Sequence, residues 1–230
     1  ADRMLDMGFI DDIKSIVARL PAKRQTLLFS ATLDGVVGSL ARELTRDPQR
    51  IEVARVVEEK ALIDQRMLIS DNHHHKSKLL DALLRDVAVG QAVVFTATKK
   101  SAEDLTESLR EQGFDAAALH GDMPQAKRTR TLDRLRAGRT KVLVATDVAA
   151  RGIDVAGISH VINYDAPRQA EDYVHRIGRT GRAGRDGLAV TLAEFRDRRK
   201  IFDIEAYTRQ QFKAEAIPGL EPQQRFLDSR

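Results

Sequence analysis

Between residues 8 and 20 the apolar side chains Phe9, Ile13, Ile16, Val17 and Leu20 recur at three- and four-residue steps and predict a helix that Pro21 ends. The run 26–29 predicts a short buried strand leading into Ser30-Ala31-Thr32, and Val36, Val37, Leu40, Ala41 and Leu44 predict a second amphipathic helix over 34–46. A further short strand is expected at 51–53, and the charged, aperiodic stretch 54–62 is expected to be a linker. From there the pattern alternates strictly. Strands are predicted at 63–69, 92–96, 115–119, 141–145, 160–164 and 187–193, with helices at 76–87, 99–112, 124–137, 168–177 and beyond 195. Val93-Val94-Phe95 and Val142-Leu143-Val144 are apolar at every position, as strands are when helices cover both faces of a parallel sheet. The expected fold is a doubly wound parallel α/β domain over 63–209. A C-terminal remnant of a similar domain over 1–53 precedes it, and the polar, Gln-rich segment 210–230 follows as a tail.

Composition narrows this picture. With 42% hydrophobic and 31% charged residues the chain can bury a core and is not a disordered segment. No apolar run approaches the roughly 18 residues a membrane span needs, and no secretory pattern opens the chain, so a cytoplasmic setting is expected. With 0 Cys, disulfides, thiolate metal sites and Cys nucleophiles are excluded. The net charge of +4 permits a nucleic-acid partner. Yet 0 Trp, 3 Tyr and 8 Phe are too few for a base-stacking platform, so contact with nucleic acid is expected to fall on the backbone. The chain opens on Ala1 rather than Met, and we expect it to be a piece of a longer protein.

In an open parallel sheet, function collects on loops at the carboxyl ends of strands, and three such loops are chemically rich. Residues 145–154 place Thr146, Asp147, Arg151, Gly152 and Asp154 within ten residues at a strand end. A capped short helix accounts for part of this, with Thr146 or Asp147 at its start and Gly152 at its end. Asp154 is left over, and a carboxylate there could accept ribose hydroxyls. In 173–185, Arg176, Arg179, Arg182 and Arg185 recur every third residue among Gly178, Gly181 and Gly184. Such glycine spacing is poor helix material, so the run should leave helix 168–177 as a loop. Guanidinium groups on flexible backbone suit bidentate phosphate recognition. In 119–128, Pro124 suits a helix start whose free amides could bind phosphate, and Gln125 and Arg128 share a face. An exposed polar helix start would look the same.

Together these residues resemble the DEAD-box RNA helicases. Residues 1–9 resemble the segment that begins at the closing Ala-Asp of the Asp-Glu-Ala-Asp box, and Ser30-Ala31-Thr32 resembles the motif that links ATP hydrolysis to strand separation. The loops at 120–128, 145–154 and 175–182 match the family's three best-known C-terminal motifs in order and spacing. His175 separates the run from related DNA helicases, which usually carry Gln there. The ending 217–222 is similar to a bacterial subgroup. The resemblance covers about 1–205 and implies two RecA-like domains, the first only partly present.

The resemblance also implies roles. Arg179 and Arg182 would be arginine fingers on the ATP γ-phosphate, and His175 would face the first domain near Asp2, Ser30 and Thr32, the residues of interdomain coupling. Gly152 and Asp154 would touch ATP, Asp154 at its ribose. Gly121, Gln125, Arg128 and Thr146 would hold the RNA backbone, and Arg151 would bridge domains or bind RNA. No G-x-x-x-x-G-K-[ST] phosphate loop occurs in the sequence. That loop, the Mg²⁺-binding Asp and the catalytic Glu would lie upstream of Ala1, so the parent protein is expected to use ATP and Mg²⁺ and this chain alone to be inactive. The competing expectations are a non-catalytic RNA-binding or interaction module on the same scaffold, or a DNA translocase. His73-His74-His75 is expected to be a solvated lead-in to a helix rather than a metal tract, and His160 to be structural.

Overall fold

The computed structural model describes residues 4, 9–30, 35–51, 63–86, 88–150, 155, 157–181 and 186–223, with only the backbone at 35 and 36. The chain divides into two compact units, Ala1–Val56 and Val57–Arg230. In the first, helices α1 (Ile10–Ala18) and α2 (Gly35–Leu44) form where the apolar periodicity predicts them. Residues 26–29 do not form the expected strand, and Leu27 and Phe29 are 68% and 81% exposed. A strand needs a neighbour to pair with, and among the described residues of this unit none is in a strand. Three apolar residues in a row could not supply that information.

The second unit is built on a parallel sheet. Its strands are β1 (Ile63–Ser70), β2 (Ala92–Phe95), β3 (Ala116–Leu119), β4 (Val142–Ala145), β5 (His160–Asn163), β6 (Gly187–Glu194) and β7 (Ala214–Glu215). They lie in the order β3-β4-β2-β5-β6-β1-β7. The helices are α3 (His73–Leu84), α4 (Lys99–Glu111), α5 (Gln125–Arg136), α6 (Asp147–Ala150), α7 (Ala170–Ile177) and α8 (Arg198–Thr208). The doubly wound fold expected from the strand pattern is therefore present.

Alternate buried residues of the longer strands enter different cores, as the strand pleat requires. Met67, Val93, Phe95, Leu143 and Val161 face one cluster with Leu135, Tyr173, Ile177, Ile201 and Ile204. Leu68, Val94, Val144, Ile162 and Val190 face the other with Leu79, Leu80, Leu84 and Leu109. Thus α5 to α8 cover one face, and α3 and α4 the other. Gly113 and Gly138 follow α4 and α5 with φ of 90° and 69°, the left-handed geometry that closes a helix end.

Two local readings are corrected. The histidines do not lead into α3; they form its first turn, because Asn72 caps the helix by accepting the His75 amide at 2.9 Å. His73 meets the Tyr164 ring edge-on at 6.0 Å, and His75 lies between Asp71 and the Leu220 carbonyl. Residues 210–223 do not trail off as a tail. Phe212 stacks edge-on against Tyr173 at 5.4 Å, β7 pairs with Met67 and Leu68 of β1, and Ile217 and Leu220 pack on the second core. Three well-spaced apolar residues among polar ones suffice to anchor the segment.

Candidate functional site

Two of the three chemically rich loops, those after β3 and β4, lie at the carboxyl end of the sheet; the third follows α7 and runs back to the start of β6. Arg176 holds the centre. It is 2% exposed and sits on the inner face of α7 with Tyr173 and Ile177, three residues before and one after. Its Nε and Nη2 donate to the two Asp147 carboxylate oxygens at 2.5 and 2.7 Å. Nη1 donates to Asn163 Oδ1 at 3.2 Å and to the Asp165 carbonyl at 2.7 Å. The Asn163 amide in turn donates to Thr191 Oγ1 at 3.0 Å, and the guanidinium lies 4.9 Å from the Phe95 ring centre. The ends of β2, β4, β5 and the middle of β6 are thereby tied to α7. A buried, two-point ion pair with every guanidinium nitrogen hydrogen-bonded is the condition under which a charge can sit in a core.

The arginine row of 173–185 is thus not one phosphate-facing surface. Arg176 points into the unit, and α7 ends at Ile177, capped by Gly178. Arg179 leaves the helical face, with its Nε donating to the His175 carbonyl at 3.1 Å. Thr180 is fully buried, and its hydroxyl bonds the Ile158 and Ser159 carbonyls at 2.8 and 2.9 Å. Gly181 follows with φ of 64°. A Cβ at Gly187 would lie 2.5 Å from the Gly181 nitrogen and 2.6 Å from Thr180 Oγ1, so glycine there lets the loop close onto β6. His175, exposed, and Arg179 border a small cleft with Asp147, Asp172 and Arg176.

Asp147 gives its carboxylate to Arg176 rather than to a helix cap. The Thr146 amide bonds the Leu119 carbonyl at 3.2 Å, and its own carbonyl accepts the Ala150 amide at 3.0 Å, so Thr146 leads α6 with its hydroxyl uncommitted to that turn. Arg128 reaches across: Nη1 donates to the His120 carbonyl at 3.3 Å and Nη2 to the Ala149 carbonyl at 3.5 Å. Gly121 and Gln125 are exposed. Pro124 immediately precedes α5 rather than starting it, and Asp122 is paired with Lys99, which lowers the carboxyl and raises the amine from their ordinary values. Gly121, Gln125, Arg128 and Thr146 therefore gather at the neighbouring ends of β3, β4 and α5. Asp2, Thr32, Arg151, Gly152, Asp154 and Arg182 lie outside the described residues, and Ser30 belongs to the first unit.

Sequence reasoning passed over two buried groups. Arg176 was detectable as the third member of an inward face with Tyr173 and Ile177. Lys76, 1% exposed, sits 2.7 Å from Glu194 and 3.7 Å from Asp165 over the Tyr164 ring. Burial would raise Glu194, but its bond to Lys76 and the charges of Lys76 and Arg196 more than reverse this and hold it below the ordinary range. His160 is pushed down by burial, in keeping with a structural role, and its Nδ1 bonds Ser159 Oγ at 2.8 Å. Among the described residues no three His, Asp or Glu cluster as a metal site, and no helix is long and apolar enough to cross a membrane.

A parallel sheet carrying these loops is the architecture of a RecA-like helicase module. The family model for the helicase conserved C-terminal domain matches 74–184, and that for the DEAD/DEAH box helicase matches 1–39. The chain is 43% identical over 223 residues to an ATP-dependent RNA helicase, SrmB, of Haemophilus influenzae, covering 96% of this chain and 51% of that protein. The crystal structure of E. coli SrmB bound to RraA is similar at a TM-score of 0.69 and 41% identity, over 73% of this chain and 98% of that one. The structure of S. cerevisiae Dbp5 bound to RNA and ADP BeF3 reaches 0.73 at 32% identity, over 93% and 57%. The chain belongs to the DEAD-box helicase family. It spans about half the length of the curated relatives it matches.

Proposed function

We propose that this chain is the C-terminal part of an ATP-dependent RNA helicase, binding RNA backbone and supplying arginines to ATP for duplex unwinding. The observation that carries the reading is the fixed base of the Arg179 loop. The Arg176–Asp147 pair anchors α7 at the sheet's carboxyl edge, and the Thr180 and Gly187 contacts seat the loop that follows against the starts of β5 and β6. A guanidinium that must meet charge only as it develops gains from such preorganisation.

In this reading 63–209 is the second RecA-like domain, 54–62 the linker and 1–53 the end of the first. Gly121, Gln125, Arg128 and Thr146 hold RNA through its backbone, and Arg151 joins them or bridges the domains. Gly152 and Asp154 bind the nucleotide, and Asp2, Ser30, Thr32 and His175 couple the two halves. Bound ATP with Mg²⁺ supplies the transferable phosphoryl group, with Mg²⁺ held by residues of the box upstream. Arg179 and Arg182 neutralise charge on the γ-phosphoryl oxygens as water displaces ADP, an effect worth about 10³–10⁵ in rate. The reaction would proceed in the cytoplasm.

The test uses this chain continued upstream through a P-loop. Arg182→Ala is expected to remove nearly all ATP turnover, in kcat more than in KM, while RNA affinity stays near wild type. Arg182→Lys should rescue poorly, lacking the planar fork. Normal kcat at saturating RNA, with RNA affinity lost, would instead make the run a basic RNA patch.

A further inference from the structure

We propose a second RNA-backbone site on the outer face of α5, formed by Arg130, Arg134 and Arg139 with Thr129. It rests on the reading of the chain as RNA-binding and extends it. Residues 127–141 hold seven cations against Asp133 alone, net +6, so the rest of the chain sums to −2 within a total of +4. This stretch alone exceeds the net charge of the whole chain. An open groove of about 580 Å³ runs along it, lined by Gln125, Thr129, Arg130, Arg134 and Arg139 among others.

The helix itself gives no reason for these charges. Lys127, Arg128 and Arg130 stand in its first half, where the macrodipole disfavours cations, with no acid in the first turn. Arg130 and Arg134 repel across one turn. Asp133 bonds Arg136 at 3.1 Å, and Arg134 has only a distant pair with Asp115 at 3.8 Å. Among the described residues Arg130 and Arg139 have no ion-pair partner, and all three groove arginines are exposed. An anionic ligand would relieve this repulsion. Arg130 and Arg134 rise about 6 Å apart along the axis, on the order of the spacing of successive phosphates, and arginine forks suit phosphate oxygens. The thin aromatic supply leaves backbone as the part of RNA to be held.

The experiment is fluorescence anisotropy with labelled oligo(U) on the 230-residue chain, using strands of about six and about twenty nucleotides. The variant carries Arg130→Gln, Arg134→Gln and Arg139→Gln. It is expected to bind the long strand about tenfold more weakly, with the slope of log K against log salt reduced by about 2, and the short strand as wild type does. The triple Lys variant should keep the slope. An unchanged thermal midpoint shows that the fold survives. Unchanged affinity and slope for the long strand would overturn the groove site while leaving Arg128-dependent binding intact. Lost binding of polyglutamate with RNA binding unchanged would overturn it in favour of an acidic protein. Wild-type binding to neither strand would overturn both readings.

Discussion

Arg176 meets Asp147 through two bonds, of 2.5 and 2.7 Å, and so joins the helix bearing His175 to the turn that follows β4. Neither residue is needed to touch a ligand for both to matter. Truncation of Arg176 leaves the Asp147 carboxylate and the Asn163 amide oxygen without their donors. Arg176→Ala should lower unfolding free energy by about 3–5 kcal/mol. Arg176→Lys should recover only part, because an ammonium cannot span both oxygens and Asn163. Urea denaturation of the three proteins checks the ranking.

Gly187→Ala is expected to be disproportionately harmful for one methyl group. The added carbon would meet the Gly181 nitrogen at 2.5 Å, so backbone must move. A loss of about 1–3 kcal/mol is expected, with amide chemical shifts perturbed at 179–181 rather than along β6 generally.

The Lys76–Glu194 pair gives a pH signature. Because Glu194 is lowered in the folded state, its contribution is present above the ordinary glutamate value near about 4.3. It fades as pH falls through that value to the lower folded one. Thermal midpoints should drop across this acid range, and Glu194→Gln should flatten that part of the profile while being less stable at neutral pH. A profile identical to wild type would show that the pair contributes nothing.

Phe212→Ala should cost about 1–2 kcal/mol, less than a fully buried phenylalanine. It removes the edge-on contact with Tyr173 and slackens the segment that leads to β7. Limited proteolysis should then cut within 210–220 first.

The purified chain should hydrolyse no ATP above background, with or without RNA, since its sequence holds no phosphate loop. A phosphate-release assay decides this.

β2 and β4 were legible because buried parallel strands are written as unbroken apolar runs, and the other longer strands because each holds a short apolar stretch between helical patterns. β7 was not, since Ala214 and Glu215 are exposed and join the sheet through their backbone pairing with β1. The capping of α3 was hidden because histidines are poor markers of a helix start, while Asn72, the residue that decides it, is equally at home in a turn. Lys76 reads as one more polar residue in HHHKSK, yet it is the one that turns inward. Side-chain direction at a helix start depends on where the helix begins, so a three-residue shift in that start changes which charge is buried. The Gln125, Arg128 and Thr146 loops were visible as chemistry, but the use of Arg128 as a strut between two backbone carbonyls was not.

The position of β1 has a consequence for synthesis on the ribosome. It is the first strand of the sheet to be made, yet Ile63 pairs with Gly187, 124 residues later, and the other edge of β1 waits for Ala214. At about 5–20 residues per second, Met67, Leu68 and Ile69 spend on the order of ten seconds outside the exit tunnel with no strand of their own chain to pair with. The strand born first is enclosed last, and the nascent protein must keep that apolar edge from other chains until its own far end arrives.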